Sequence, residues 1–208
     1  MQSVNSIYQL FGKRLFDVLL TLLGGLLILP IILIISLIIK INSKGPLFYV
    51  QKRIGKNSKE FDLYKFRTMV VDADKKGLKI TVGNDVRIIP VGVYLRKTKI
   101  DELPQLINVL KGDMSLVGPR PEVREFIEEY PLEIKDKILS IRPGITDMAS
   151  IRMVDENDIL GKYKDPRQAY IDIVLPIKQK HYLNYVNKHN IWLDLKIIFL
   201  TFKKIFTR

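Results

Sequence analysis

The strongest pattern in the 208-residue chain is an apolar run near its start. From Val18 to Ile39 it reads VLLTLLGGLLILPIILIISLII, 22 residues without a charge. That length suits a membrane helix. The run is too long for a cleaved signal peptide, Asp17 sits at its edge, and no small-x-small cleavage site follows it. Basic residues flank both ends, Lys13 and Arg14 before it, Lys40 and Lys44 after it. The positive-inside rule asks for both flanks in the cytoplasm. Pro30 removes a backbone donor within the run and predicts a kink. Leu15 to Leu29 gives about 22 Å of helix and Ile31 to Ile39 about 14 Å, each short of a hydrocarbon core of about 30 Å. A straight span and a re-entrant hairpin both remain open, with a buried core helix as the third reading.

Further patterns follow. Apolar alternation in LFYV and FDLYKF, within residues 46–70, predicts two strands around the GKNSK turn. Positions 103, 106, 107 and 110 form a helical stripe, and Gly112 is placed to end it. Near the end, Trp192, Leu195, Ile198, Phe199, Phe202, Ile205 and Phe206 recur at spacings of three and four, punctuated by Lys196, Lys203 and Lys204. This is an amphipathic basic helix, fit for a membrane interface or for packing on a core. The organisation expected is a membrane segment over 1–45, a catalytic domain over 46–172, and C-terminal amphipathic helices over 173–208. The fold class is α/β in the α+β sense, mostly helical with a small sheet.

Composition sharpens the choice of partners. The chain is 47% apolar, as globular chains are, and its net charge of +12 favours anionic partners. Residues 40–99 hold 15 Lys/Arg against 5 Asp/Glu, whereas residues 122–172 hold 8 against 12. That acidic middle argues against nucleic-acid binding, where basic charge forms one stripe. No cysteine is present, which excludes disulfides and thiolate chemistry and suits a reducing compartment.

Candidate chemistry clusters in the middle. Lys65 and Arg67 of KFRTM share a face if the strand continues, an arrangement that suits a diphosphate; a solvated strand face is the plainer alternative. Arg96, Lys97 and Lys99 lead into the adjacent carboxylates Asp101 and Glu102, just ahead of the helical stripe. Acids there also serve as caps and dipole partners. Arg120 lies in Gly-Pro-Arg-Pro, a stiff turn that aims a guanidinium at a phosphate. Arg142 of RPGIT repeats the device. DADKKGLKITVGND over 72–85 imitates a calcium loop, but Gly83 stands where the final Glu belongs, so it reads as a mobile loop. His181 and His189 have no ligand-like neighbours in sequence and read as surface residues rather than a zinc site.

Together these residues resemble a family, the bacterial sugar transferases, in the form of a small monotopic polyprenyl-phosphate phosphoglycosyl transferase. The resemblance covers nearly the whole chain. It rests on K-R-x-x-D (Lys13, Arg14, Asp17), the Pro-broken apolar segment, Q-x-R-x-G (Gln51, Arg53, Gly55), KFRTM, DELPQLINVLKGDMSLVGPRP over 101–121, and RPGIT. It implies a re-entrant membrane helix, with Lys13, Arg14, Asp17, Pro30 and Trp192 as membrane-associated residues. It implies Mg²⁺-dependent transfer of a sugar 1-phosphate from a UDP-sugar to polyprenyl (undecaprenyl) phosphate, with release of UMP. The expected setting is the cytoplasmic face of the bacterial inner membrane, at the first membrane step of a surface glycan or glycoprotein oligosaccharide. Asp101 is implied as a nucleophile that holds the phosphosugar covalently. Glu102 matches the second residue of the pair, and both are metal-ligand candidates. Arg120 is the leading phosphate ligand, followed by Lys65, Arg67, Arg142 and Arg96. A homodimer stays open. Two departures stand out. Leu29-Pro30 replaces the Ser-Pro of many members, and DMASIRMVDE follows RPGIT in place of GLAQV, which puts Asp147 and Arg152 in a subgroup with a different sugar or acceptor pocket. A catalytically silent membrane scaffold is the competing class, though the intact Asp-Glu pair and GPRP argue against it.

Overall fold

The computed structural model describes residues 8–73, 85–153 and 156–207. The 72–85 loop reading therefore falls largely outside the described residues. The apolar run forms α1, Lys13–Asn42, a helix of 30 residues that continues through Pro30. It is the one described helix long and apolar enough to cross a membrane. Its large side chains stand uncovered, Leu26 at 72% and Leu27 at 79% exposure among them.

Both ends of α1 dock on the same body. At its start, Arg14 donates to the carbonyls of Val109 and Leu110. One turn on, Asp17 accepts from Ser115 Oγ at 2.7 Å and from Leu116 N–H at 3.2 Å. Lys13 lies 3.0 Å from Asp17 and 2.9 Å from buried Asp194 near the other end of the chain. At its finish, Ile35 and Ile39 bury against Phe66 and Leu95, and Arg67 donates to the Ser43 and Lys44 carbonyls. Two separate hairpin arms do not form at Pro30; a single helix instead contacts the body near both of its ends.

The predicted strands form. β1 (Phe48–Ile54) and β2 (Glu60–Phe66) pair antiparallel around Lys56–Ser58, with Gln51 opposite Leu63. After α2 (Pro90–Lys97) and a 3₁₀ turn (Ile100–Glu102) comes α3, Gln105–Lys111. Gly112 ends α3 at φ 92°, a left-handed conformation that glycine adopts without steric cost. β3 (Ser115–Val117) and β4 (Gly144–Thr146) then pair in parallel. VGPRP and RPGIT thereby meet backbone to backbone, and a Cβ on Gly144 would lie 2.1 Å from Gly118 N.

Short helices complete the body: α4 (Arg124–Glu128), α5 (Leu132–Leu139), α6 (Met148–Arg152), α7 (Glu156–Leu160) and α8 (Pro166–Ala169). A π-helical turn, Tyr170–Val174, leads into α9, Leu175–Lys188. The largest apolar cluster joins Ile54, Phe126, Ile138, Tyr170, Val174, Leu175 and Tyr182. The boundary expected at 172/173 crosses this core, because α9 belongs to it. The last helix, α10 (Ile191–Phe206), buries Asp194 and Ile197 and turns Trp192, Phe199, Phe202 and Phe206 outward. Packing on the core does not consume its aromatic stripe, which leaves that stripe for an apolar phase.

Candidate active site

The paired carboxylates sit on the turn Ile100–Glu102, between Ile100 and Leu103, which pack against the α1–Phe66–Leu95 cluster. Anchoring both neighbours in apolar contacts leaves Asp101 and Glu102 directed elsewhere. Lys99 enters the turn at φ 60°, a left-handed conformation unfavourable for a residue with a side chain. Neither acid caps α3; no side-chain cap bond forms there. Both are buried, 5% and 7% exposed, and both line a cavity of about 850 Å³. That volume is in the range of small-molecule sites, about 300–1,000 Å³.

Glu102 is fully engaged. Arg120 grips it bidentately, Nη1 on Oε2 at 3.1 Å and Nη2 on Oε1. Lys65 Nζ lies 3.3 Å and Lys99 Nζ 4.0 Å from the same carboxylate. Burial pushes Glu102 up, but Arg120, Lys65 and Lys99 outweigh it and hold the carboxyl well below its ordinary range. Asp101 is the opposite case. Its Oδ1 is buried without a hydrogen-bond partner. Burial raises its pKa, with Lys65 opposing. Burial also drives Lys65 down to about 8, with Glu102 opposing. Two adjacent carboxyls are thus pushed in opposite directions, one fixed and ionised, the other buried with one oxygen unpartnered. This asymmetry marks functional sites more often than structural ion pairs.

The other sequence candidates separate. Lys65 and Arg96 line the cavity with the acids, and Arg96 Nε donates to Thr68 Oγ1 at 2.8 Å. Arg67 borders the cavity, but β2 ends at Phe66 and the guanidinium turns to the carbonyls beyond α1. Lys65 and Arg67 therefore do not act as one paired face. Arg142 is exposed, donates to the Gly112 carbonyl and does not reach the cavity. Lys13, Arg14 and Asp17 tie α1 to the body, as described above. Asp147 caps α6, accepting from Ala149 and Ser150 N–H, while Arg152 is exposed. From that divergent segment it is Ser150, Met153 and its last residue, Glu156, that reach the cavity wall. His189 Nδ1 lies 3.0 Å from the Val186 carbonyl, a local contact.

Several cavity residues escaped sequence reasoning. Arg53, known only as a motif position, donates to the Pro121 carbonyl and to Gln51 Oε1, bracing GPRP from β1. Glu122, Glu156, Tyr170 and Lys178 also line the cavity. In sequence each resembles an ordinary surface charge or core aromatic; only Glu122, two residues beyond the aimed Arg120, carried any local signal.

A metal would find one ready donor here. Asp101 Oδ1 is free, whereas both Glu102 oxygens are taken by Arg120. Among the described residues, no three His, Asp or Glu side chains gather into a metal cluster. The donor set fits Mg²⁺ held by one protein carboxylate together with substrate phosphates, the usual arrangement for that ion, and does not fit a closed protein cage.

Known proteins supply the remaining evidence of kinship. Over 199 residues the chain is 37% identical to a UDP-N-acetylgalactosamine-undecaprenyl-phosphate N-acetylgalactosaminephosphotransferase of Aeromonas hydrophila, covering 95% of this chain and 44% of that one. It is 41% identical over 207 residues to a UDP-glucose:undecaprenyl-phosphate glucose-1-phosphate transferase of Klebsiella pneumoniae, covering 98% and 42%. The chain thus spans less than half the length of these two relatives. It is also 38% identical to the exopolysaccharide production protein PSS of Rhizobium leguminosarum bv. phaseoli, covering 94% and 96%. The family model for bacterial sugar transferases matches residues 8–208. With that match running through the membrane helix, the Asp101–Glu102 turn and the C-terminal stripe, the chain belongs to the bacterial sugar transferase family.

Proposed function

We propose that this chain transfers a sugar 1-phosphate from a UDP-sugar to undecaprenyl phosphate, releasing UMP, at the cytoplasmic face of the inner membrane. The observation that carries the reading is Asp101 itself, a buried carboxyl with one unpartnered oxygen, in the wall of a cavity also lined by Lys65, Arg96 and Arg120. The printed activities of the relatives from Aeromonas hydrophila and Klebsiella pneumoniae support the substrate class.

In the first step an Asp101 oxygen attacks the phosphorus that bears the sugar. The bond from that phosphorus to the UMP oxygen breaks, and UMP leaves with the electron pair. In the second step an oxygen of the lipid phosphate attacks the same phosphorus and releases Asp101 unchanged. Covalent capture divides one difficult transfer into two. An anion attacking an anion needs its repulsion cancelled, and Lys65, Arg96 and Arg120 supply fixed positive charge. Mg²⁺, when bound beside Asp101, would add charge neutralisation and Lewis-acid polarisation of the phosphate oxygens. Glu102 holds Arg120 at a set angle, so its bidentate partner is already oriented when substrate arrives. The charge of Arg120 is shared with Glu102 until a phosphate competes for it.

Topology follows the docking of α1. With both helix ends on one body and basic residues at both flanks, the apolar middle dips into the membrane and returns to the cytoplasmic side. The outward aromatics of α10 add a second apolar contact. The body is then held where lipid phosphates lie.

The test is UMP release from a panel of UDP-sugars with undecaprenyl phosphate and Mg²⁺, comparing wild type with Asp101→Asn. Release by wild type alone is expected. Equal release by both proteins would remove Asp101 as nucleophile, and silence of wild type across the panel would remove the transfer itself.

A further inference from the structure

The cavity extends beyond the phosphate-handling end. Its lining carries a second set of polar side chains that the two transfer steps do not use. Glu122 and Lys178 are each 4% exposed. Tyr170 donates to Glu122 Oε1 at 2.7 Å, and Lys178 Nζ donates to Tyr170 Oη at 2.9 Å. Lys178 also lies 2.9 Å from Glu156, and Arg53 lies 3.6 Å from Glu122. All of them line the cavity. Buried ion pairs are weak contributors to stability, because desolvation consumes most of their attraction. Such a set on a cavity wall, rather than inside a sealed core, points to a ligand.

Covalent geometry fixes its distance from the reacting centre. Arg120 and Glu122 flank Pro121, which keeps Arg120 extended. Two extended residues span about 7 Å. On one side of Pro121 a guanidinium reaches Glu102, next to Asp101; on the other a carboxylate reaches Tyr170. A hexose is bonded directly to the attacked phosphorus, whereas uracil is separated from it by a second phosphate and a ribose, so the hexose is the nearer of the two donor groups in covalent terms.

The chemistry agrees. Carboxylates accept from sugar hydroxyls, and an ammonium donates to a hydroxyl oxygen or to an acetamido carbonyl. Ser150 and Met153 bring the divergent segment after RPGIT to the same wall.

We infer that Glu122, Tyr170, Lys178 and Glu156 form the subsite that reads the hydroxyl and acetamido substituents of the donor sugar. This rests on the transfer reading above. The test measures kcat/KM for UDP-hexoses and UDP-N-acetylhexosamines in wild type, Lys178→Met and Glu156→Gln. Calorimetric binding of UMP and of each UDP-sugar is measured alongside. Lys178→Met removes the ammonium that Glu156 and Glu122 share and risks the fold. Glu156→Gln, whose side chain is 26% exposed in the native protein, keeps the test available. The expected result is a change of about tenfold or more in the preference between donors, with UMP affinity within about twofold of wild type. A uniform loss across all donors would overturn the inference in favour of a structural role. A parallel loss of UMP affinity would overturn it in favour of uridine recognition. If wild type releases no UMP, the transfer reading fails separately. Calorimetric preference among UDP-sugars, lost in the variants, would still uphold the subsite, and its absence would overturn it.

Discussion

Replacing Arg120 by methionine tests whether the proposed phosphate ligand is also half of a structural pair with Glu102. In the native protein Glu102 is 7% exposed and gives both oxygens to Arg120. Arg120→Met leaves that carboxylate buried, with Lys65 at 3.3 Å and Lys99 at 4.0 Å as its remaining cations. Removing one partner of a buried pair costs about 3–5 kcal/mol. Two residual cations, one at the outer limit of contact, place the loss near the lower end, about 3 kcal/mol. For a chain of this size, about 2–4 °C per kcal/mol gives a fall in melting temperature of about 6–12 °C. Glu102→Gln leaves an unpaired guanidinium, but that side chain is 23% exposed and regains some water, so a smaller fall is expected. The double variant Arg120→Met/Glu102→Gln should recover much of the loss, with a coupling of about 2 kcal/mol. Circular-dichroism melts of the four proteins in one detergent measure the cycle. Additivity within about 0.5 kcal/mol would refute the pairing argument. So would a shift below about 2 °C in Arg120→Met.

Three further outcomes follow from the same geometry. Because kcat/KM reports the free enzyme, its profile should fall as pH rises through about 8, where Lys65 loses its charge, and Lys65→Arg should remove that limb; a flat profile to pH 9.5 would exclude Lys65 from binding. The stability effect has the opposite sign: Lys65 titrates lower when folded than when unfolded, so the unfolded chain binds more protons between about pH 8 and 10.5 and this residue's contribution to stability rises across that window, which denaturation of wild type against Lys65→Met would show. Gly144→Ala should cost about 3 kcal/mol or more, since its Cβ meets Gly118 N at 2.1 Å, and a melting temperature equal to wild type would contradict the backbone contact. Single cysteines at Asn5 and Lys44 should both label from the cytoplasmic side in oriented vesicles; labelling of one from outside would establish a span and end the re-entrant reading.

Local pattern carried much of this protein. The β1–β2 pair, the glycine end of α3 and the amphipathic α10 were legible because each depends on period or on one conformationally special residue within a short window. The Asp101–Glu102 turn and GPRP were legible as motifs. The partnerships between them were not. Arg67 sits in a motif beside Lys65, yet its guanidinium serves carbonyls 23 and 24 positions earlier, and no local period encodes a contact of that separation. Capping was a sound expectation for adjacent acids before a helix; it gave way because Arg120, 18 positions on, offers Glu102 two charge-assisted bonds that a cap does not match. The wall built by Glu122, Tyr170 and Lys178 was illegible for a related reason: its members come from a loop, a π-helical turn and a helix, and the burial that distinguishes them exists only once those elements pack.

The junction between membrane helix and active site bears on how a lipid and a soluble nucleotide meet. Ile100 and Leu103, the residues on either side of the acid pair, pack in one cluster with Ile35 and Ile39 of α1. Arg14, near the other end of that helix, holds the last carbonyls of α3, the helix that follows the pair. Asp17 holds β3, which leads into GPRP. The Asp101–Glu102 turn and the GPRP turn are therefore both mounted on α1. Its apolar middle is uncovered by protein, so burial in lipid sets the helix depth. Rigid packing then sets the height of Asp101 above the membrane. On the proposed function, an acceptor phosphate confined to the same interface would meet Asp101 at a fixed height, so the encounter would be searched in two dimensions rather than three, the gain residing in effective concentration.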